Sequence, residues 1–395
     1  MLKSANVLRS FVEKKLGKPT VRCKPWKISL EAASACNLRC ITCRHHESTF
    51  GGIMTEDVFD RVKPILAAAR VVNEVGYGEP FLDKRFLDKL EYAKRAGAAV
   101  LVYSNGTLLN QRLSRRLVAL QLDQITFSID GGTRETFESI RLGADYGKVL
   151  DNVRQLHRIK LHEKSKCPLL RVNYVGMRRN VEELPGAIET LAGVGVQELV
   201  LSDMLPPTPE LADECLGHFP ELTGGVLQEA RKTARRCGLT FIAPSSFSVP
   251  SPVQVFEKPT GNASLEDATG SRYRVDPPHR TEPSDSYPSY PCYEPWQTLY
   301  ITFDGNVRPC CAMDRSFGNL RDDEIGQIWN GRQYQILRSS VNSRQPAFEE
   351  CRICLLRRRV RLPLRHVLGA GVSSLAHQGF AHTARKAVKY LSEYC

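Results

Sequence analysis

The stretch ACNLRCITC, residues 35–43, determines how the rest of this sequence is interpreted. It holds three cysteines at C-x3-C-x2-C spacing: Cys36, Cys40 and Cys43. Thiolates at close spacing are soft ligands that suit zinc or an iron–sulfur cluster. A closed zinc or cluster site has four protein ligands, so three cysteines without an evident fourth favour a four-iron cluster with one open iron. A zinc site completed by His45, His46 or a distant residue is the alternative.

Length and composition are those of an ordinary soluble protein. At 395 residues the chain can form two domains with a large core. It has no apolar run near the roughly 18 residues that a membrane span needs, and its start lacks the features of a secretory signal. Thirteen cysteines in such a chain are expected to be metal ligands before disulfides. We therefore expect a cytoplasmic protein.

The net charge of +12 is concentrated at the two ends of the chain. Residues 1–27 and 355–395 each hold eight Lys or Arg and one acid, which gives +7 at each end. The residues between them carry 12 − 14 = −2. Nucleic-acid binding would need a basic face on the folded body, so no nucleic-acid partner is expected.

Both basic ends also have amphipathic patterns. Residues 1–16 place four apolar side chains at helical spacing: Leu8, Phe11, Val12 and Leu16. A helix packed on the body is one interpretation, and peripheral contact with an anionic membrane is the other. The same two interpretations apply to the tail at 356–395, where a second stripe includes Phe380 and Leu391.

From 26 to 204 the sequence alternates between strand and helix signals. About six β/α units are predicted, which implies a parallel sheet with right-handed crossovers. We therefore predict an α/β fold, a partial (β/α)6 TIM-like barrel. Functional residues collect at the carboxyl ends of the strands in such folds, and the cysteine loop follows the first strand.

The three cysteines and the barrel pattern resemble the radical S-adenosylmethionine enzymes. In that family the open iron binds the amino and carboxylate groups of S-adenosylmethionine, and one-electron reduction releases a 5′-deoxyadenosyl radical. The resemblance therefore implies a 4Fe–4S cluster, S-adenosylmethionine, and a reductant such as flavodoxin or ferredoxin.

Further motifs resemble this family residue by residue. Gly78-Glu79-Pro80 is similar to its GxGEP element, which implies that Glu79 contacts the amino group of the cofactor. Ser104-Asn105-Gly106 resembles the SNG element, and Ser128 with Asp130 resembles an SxDG element that reaches the ribose. By the same resemblance, Arg141 is expected near the methionine carboxylate, and the backbone at Val200 and Leu201 is expected against adenine.

A second set of cysteines lies near the C-terminus: Cys292, Cys310, Cys351 and Cys354. A predicted hairpin at 299–308 and a C-x2-C pair could hold zinc. With Gly305 five residues before Cys310, however, the pattern resembles a SPASM domain shortened to the twitch form, which implies one auxiliary 4Fe–4S cluster. Cys311 is the alternative to Cys310.

The predicted organisation has five parts. An N-terminal helix at 1–25 and the barrel at 26–204 precede a connection at 205–289, which is partly helical and then rich in Pro and Ser. The auxiliary domain at 290–355, a small hairpin-and-helix unit, precedes the basic tail at 356–395.

The resemblance implies an enzyme that abstracts hydrogen from a C–H bond. We expect two-electron oxidation of a small or carbohydrate-type substrate, linked to a membrane if the ends bind lipid. A peptide-modifying maturase is the first alternative, and a metal-binding protein without turnover is the second. The sequence identifies neither the substrate nor a catalytic acid or base.

Overall fold

The computed structural model describes residues 2–43, 51–244, 247, 291–352 and 354. His45, His46 and the basic segment at 355–395 lie outside these residues, so the interpretations given for them stay predictions. The strands are β1 Lys27–Leu30, β2 Val71–Glu74, β3 Ala99–Ser104, β4 Gln124–Ser128, β5 Leu169–Gly176, β6 Glu198–Asp203, β7 Thr240–Ile242, β8 Thr298–Ile301 and β9 Val307–Arg308. The helices are α1 Leu2–Lys15, α2 Glu56–Ala68, α3 Phe86–Arg95, α4 Gln111–Ala119, α5 Arg134–Ile140, α6 Tyr146–His162, α7 Leu184–Gly193, α8 Pro209–Ala212, α9 Pro220–Cys237, α10 Ile325–Trp329, α11 Arg332–Ser340 and α12 Glu349–Arg352.

Six parallel strands, β1 to β6, pair with their neighbours in chain order. This confirms the predicted partial TIM-like barrel. Helices separate successive strands, as the 3.6-residue and two-residue periodicities predicted. All these strands therefore end at the same edge of the sheet, where the cysteine loop begins.

The two faces of the sheet differ in chemistry, because side chains alternate along each strand. One face packs on the helices through fully buried apolar residues such as Ile28, Val72 and Phe127. The other face, here called the concave face, carries polar side chains in the register of the strand pairing. These include Ser29, Asn73, Tyr103, Gln124, Thr126, Ser128, Arg171, Asn173, Glu198, Ser202, Thr298 and Tyr300.

Three strands outside the six units extend the sheet at both edges, in the order β7-β6-β5-β4-β3-β2-β1-β8-β9. The segment at 205–289, predicted as a connection, contributes α9 at the predicted position and also β7, which pairs with β6. The auxiliary hairpin β8–β9 joins β1 in parallel instead of standing apart. This pairing covers the edge of β1, which would otherwise present unpaired backbone groups.

Helix α1 packs on the body mainly through polar side chains, and within the predicted apolar stripe Phe11 is half-buried. Ser10, Glu13 and Lys14 are buried, whereas Leu8, Val12 and Leu16 are 67, 52 and 64% exposed. The Ser10 hydroxyl donates to the Trp296 carbonyl at 2.8 Å and accepts from the Trp26 indole at 3.2 Å. The apolar periodicity predicted the helix correctly, but polar anchors decided which face is buried.

Local differences from the predicted elements are small. The helix predicted near 322–340 is two helices, α10 and α11, separated at Asn330 and Gly331. Thr55 occupies the N-cap position of α2 but makes no side-chain cap bond. Its hydroxyl accepts instead from Arg321, 266 residues along the chain, at 3.3 Å.

Candidate active site

The cysteine loop lies against the loop that follows β2. The backbone amide of Glu79 donates to the carbonyl of Ala35 at 2.8 Å. A Cβ on Gly78 would lie 2.5 Å from that same carbonyl oxygen and still closer to the carbonyl oxygen of Ala33. Only glycine allows this approach, so the GxGEP-like element holds the cysteine loop through the backbone.

Hydrogen-bond donors point at the sulfurs of the cysteine loop. Cys36 accepts from the Leu38 amide at 3.4 Å and from the Asn105 amide group at 3.9 Å, and Cys40 accepts from Arg141 at 3.7 Å. Burial raises the pKa of the Cys40 thiol to about 11 when no cation is bound, whereas metal coordination deprotonates a thiol outright. Donors of this kind stabilise thiolate ligands, so the loop fits an iron–sulfur cluster.

Glu79 lies in the loop after β2, and only 1% of its surface is exposed. Its carboxylate accepts from the Asn105 amide at 2.7 Å, from the Ser104 hydroxyl at 2.9 Å and from the Phe81 amide at 3.3 Å. Burial raises the pKa of Glu79 to about 7, and the bonds to Asn105 and Ser104 partly oppose this rise. In this structure Glu79 therefore joins the loops after β2 and β3, and its contact with a cofactor amine stays a proposal.

Two residues that the sequence analysis did not identify complete this junction. The Asn105 side-chain amide donates to the Asn37 side chain at 3.0 Å, and Asn37 donates to the Thr107 hydroxyl at 2.9 Å. Thr107 donates back to Asn105 at 2.7 Å. The position of Asn37 inside the C-x3-C spacing was the signal that could have pointed to it.

Asp130 and Arg141 form one buried unit instead of two separate contacts. An Arg141 guanidinium nitrogen lies 2.6 Å from one carboxylate oxygen of Asp130, and the other oxygen accepts from the Val175 amide at 2.8 Å. Burial alone would lower the pKa of Arg141, but Asp130 and the nearby Cys40 raise it above its usual value. Asp130 thus holds Arg141 beside Cys40, and the expected ribose and carboxylate contacts remain proposals.

The remaining predicted contacts do not share one face of the sheet. Ser128 is half-buried at the end of β4 on the concave face. Pro80 is buried at the start of a short 3-10 turn. The Leu201 side chain packs in the helical core, so an adenine contact there would involve the backbone.

The second cysteine set lies beside β8 and β9. Cys292 and Cys310 are half-buried against the core, whereas Cys311 is exposed. Burial raises the pKa of Cys292 to about 12, and the charge of Glu294 is the next cause. The nearby Cys351 and Cys354 raise it further by smaller amounts. The packing of Cys310 against the core, where Cys311 does not lie, favours Cys310 over Cys311 as a ligand.

Asn342 fixes the backbone of Cys292 from both sides. Its side-chain oxygen accepts from the Cys292 amide at 2.7 Å, and its side-chain nitrogen donates to the Cys292 carbonyl at 2.9 Å. Sequence reasoning did not identify Asn342, because it lies 50 residues from Cys292 and belongs to no motif.

Glu31 connects the two cysteine regions. Its carboxylate accepts from the Tyr77 amide at 3.0 Å, in the loop after β2, and its backbone amide donates to the Ile301 carbonyl at 2.9 Å, at the end of β8. Burial raises the pKa of Glu31. The sequence gave no signal for this role, because Glu31 follows β1 outside every motif.

Within the described part of the chain, no three cysteine, histidine or acidic side chains converge closely enough to hold one metal ion.

Family models match two regions of the chain. The model described as "Radical SAM superfamily" matches residues 30–191, and the model described as "Iron-sulfur cluster-binding domain" matches residues 292–355. These ranges contain both cysteine sets.

Two curated relatives match the chain at 25 and 26% identity. The chain is 25% identical over 337 residues to a "Tungsten-containing aldehyde ferredoxin oxidoreductase cofactor-modifying protein" of Pyrococcus furiosus, covering 83% of this chain and 86% of that one. It is 26% identical over 174 residues to an "AdoMet-dependent heme synthase" of Methanosarcina barkeri, covering 43% of this chain and 48% of the relative.

Solved structures share the fold at low identity. Streptococcus suis SuiB bound to precursor peptide SuiA matches with a TM-score of 0.58 and 13% identity, over 85% of this chain and 71% of that one. The anSMEcpe structure with bound AdoMet and Cp18Cys peptide matches with a TM-score of 0.52 and 17% identity, over 85 and 89% of the two chains. At such identities the likeness concerns the fold alone.

Proposed function

Because the chain belongs to the radical S-adenosylmethionine superfamily and carries a SPASM-type cluster domain, we propose that it oxidises a small, hydroxyl-rich substrate. The two domains imply 4Fe–4S clusters and S-adenosylmethionine as cofactors. When bound, these cofactors supply a radical that abstracts hydrogen. The protein must then hold the substrate and keep water from the reacting carbon.

The observation that carries the substrate class is a polar row on the concave face, formed by Tyr300, Ser29 and Asn73. These residues are direct cross-strand partners on β8, β1 and β2. They place two hydroxyls and an amide at one level of the sheet, where the Tyr300 hydroxyl also donates to the Val75 carbonyl at 3.2 Å. The polar row lies away from Ser128 and Leu201, which we assign to the cofactor.

The Asn73 side-chain oxygen supports this assignment. It is buried, and it has no hydrogen-bond partner among the residues that the structure describes. Buried polar oxygens are normally satisfied by protein or water. A hydroxyl group donated by a substrate would satisfy it, whereas an apolar substrate would leave it unpaired at a cost of about 1–3 kcal/mol.

We assign the proposed ligands from the geometry described above. Cys36, Cys40 and Cys43 would hold the cluster that binds S-adenosylmethionine. The auxiliary cluster would be held by Cys292, Cys310, Cys351 and Cys354. In the proposed oxidation, a carbinol C–H bond loses a hydrogen atom to the radical, the hydroxyl loses a proton, and one electron passes to a one-electron acceptor, which yields a carbonyl.

The experiment is turnover by the anaerobically reconstituted full chain with S-adenosylmethionine and dithionite. A panel of polyols and aminocyclitols is compared with a panel of short peptides. We expect a polyol product lighter by two hydrogens, formed together with 5′-deoxyadenosine. In the Asn73→Leu variant, substrate oxidation should fall about ten-fold or more while uncoupled cofactor cleavage continues.

Two results would contradict this proposal in different ways. Turnover of peptides alone would favour the maturase function, which the shared fold of peptide-bound SuiB and anSMEcpe brings into consideration. Cluster binding without any cleavage of S-adenosylmethionine would favour a binding protein without turnover.

A further inference from the structure

We propose that the exposed face of α1 is the docking surface for an acidic one-electron carrier of the flavodoxin or ferredoxin kind. This surface, here called the α1 stripe, consists of Leu8, Val12 and Leu16. Exposed cations flank it: Arg9, Lys15 and Lys18. The proposal rests on the proposed function only in that it places this carrier beside the auxiliary cluster.

The α1 stripe is a stable surface because its opposite face is anchored. The Ser10 hydroxyl bonds the Trp296 carbonyl, and the Lys3 ammonium donates to the Ala69 carbonyl at 2.7 Å. Glu13 accepts from the amides of Arg22 and Cys23 at 2.9 and 3.0 Å. The orientation of the helix is therefore fixed by buried polar bonds, and three aliphatic side chains remain in solvent.

The charge on this surface has one sign. Glu13 is the only acid in residues 2–27, and it is buried. The nearby Glu294 is paired with Lys27 at 3.4 Å. What remains exposed is cationic, so the surface is complementary to an acidic partner, and opposite charge accelerates encounter.

The position of α1 favours an electron carrier over a membrane. The helix packs on the 3-10 turn Glu294–Trp296, which begins two residues after Cys292. The ammonium groups of Lys14 and Lys15 lie 4.6 and 5.6 Å from the centre of the Tyr293 ring, the neighbour of Cys292. A partner on the α1 stripe would thus stand next to a proposed cluster ligand.

The size of the α1 stripe also fits a transient protein contact. Two leucines and one valine contain about eleven side-chain carbons, fewer than the single myristoyl chain that gives only marginal membrane binding. Electron-transfer complexes, in contrast, bury small interfaces and depend on charge for their rate of formation.

The test measures binding of an acidic flavodoxin to the reconstituted full chain at about 50 mM and 500 mM salt. We expect binding at low salt, loss at high salt, and at least a ten-fold weaker affinity in a variant carrying Arg9→Glu, Lys15→Glu and Lys18→Glu. The matched control carries Arg231→Glu, Lys232→Glu and Arg235→Glu on α9, which packs at the opposite end of the sheet. Its affinity should change less than about three-fold.

Equal affinity in the α1 variant and the wild type would overturn the proposal. So would flotation of the protein with phosphatidylglycerol vesicles in the absence of any flavodoxin binding, because the surface would then be a membrane contact. Cleavage of S-adenosylmethionine by dithionite is measured in the same samples. Its failure would refute the proposed function, while the binding data would still decide the docking surface.

Discussion

At the scale of single residues, the site depends on buried charges whose partners come from different strands. Glu79 is the clearest case, because its carboxylate is surrounded by donors and yet burial raises its pKa to about 7. A carboxyl group with a raised folded-state pKa contributes stability below its unfolded pKa, near 4.5. That contribution is lost as pH rises through about 7. The affinity for a cofactor amine should depend on pH in the opposite direction, because the amine would bind the ionised carboxylate of Glu79.

We therefore predict that affinity for S-adenosylmethionine increases as pH rises from 6 to 8, and that Glu79→Gln removes this dependence. At pH 8 the variant should bind about ten- to a hundred-fold more weakly, because one charge-assisted hydrogen bond is lost. Equilibrium dialysis at three pH values measures both effects. Parallel pH profiles for the two proteins would show that Glu79 is not the titrating contact.

Asp130 and Arg141 lead to a prediction about stability. Removing one member of a buried ion pair leaves an uncompensated charge, which costs about 3–5 kcal/mol. Asp130→Ala should therefore lower the free energy of unfolding by about that amount, measured by urea denaturation under anaerobic conditions. The double variant Asp130→Ala with Arg141→Met should recover a large part of the loss, and a double variant as unstable as the single would show that the pair does not act as a unit.

At the scale of elements, the loop after β2 is held against the cysteine loop by backbone contacts. This arrangement needs glycine at 78, where a side chain would collide with the carbonyl groups of Ala33 and Ala35. Gly186, inside α7, has no atom within 4 Å of an added Cβ. The two positions form a matched pair for the same substitution.

Gly78→Ala should displace the cysteine loop and lower the iron bound at reconstitution by about half, because one of two clusters is affected. Gly186→Ala should leave the iron content unchanged and raise the free energy of unfolding by up to about 1 kcal/mol, since alanine favours a helix interior. Iron assay and urea denaturation report the two outcomes. Full iron content in Gly78→Ala would mean that the close approach is not required for cluster binding.

At the scale of the whole molecule, one sheet carries both cysteine regions. The pairing of β1 with β8 places them on neighbouring strands, and Glu31 bonds both the loop after β2 and the end of β8. None of the described helices is long and apolar enough to cross a membrane. Because the two cysteine sets lie on different strands of one sheet, each should bind its metal independently of the other.

The iron content of the reconstituted protein tests this arrangement. The wild type should hold about eight irons, in two four-iron clusters. Replacing Cys36, Cys40 and Cys43 by alanine should leave about four and abolish formation of 5′-deoxyadenosine. Replacing the four C-terminal cysteines should also leave about four. Stoichiometric zinc without iron would contradict both assignments.

The sequence by itself determined the parts of this protein that local pattern controls. Alternation of apolar residues predicted the six β/α units, and Gly97 and Gly238 ended helices with positive φ, as their positions suggested. The cysteine spacings and the polar ends of the strands identified the regions that the family models match. These features depend on residues that are neighbours along the chain, so they can be predicted from the periodicity and spacing of the sequence.

Only the tertiary structure decided the features that depend on distant partners. The stripe of α1 is exposed because Ser10 and Glu13 find polar partners on the body, and no helical periodicity contains that information. Asp130 binds Arg141, Asn342 clamps Cys292, and β8 joins β1 although some 270 residues separate them. Such contacts pair buried charges and cover exposed strand edges. They stabilise the protein only once folding has brought the distant partners together, so the local sequence does not reveal them.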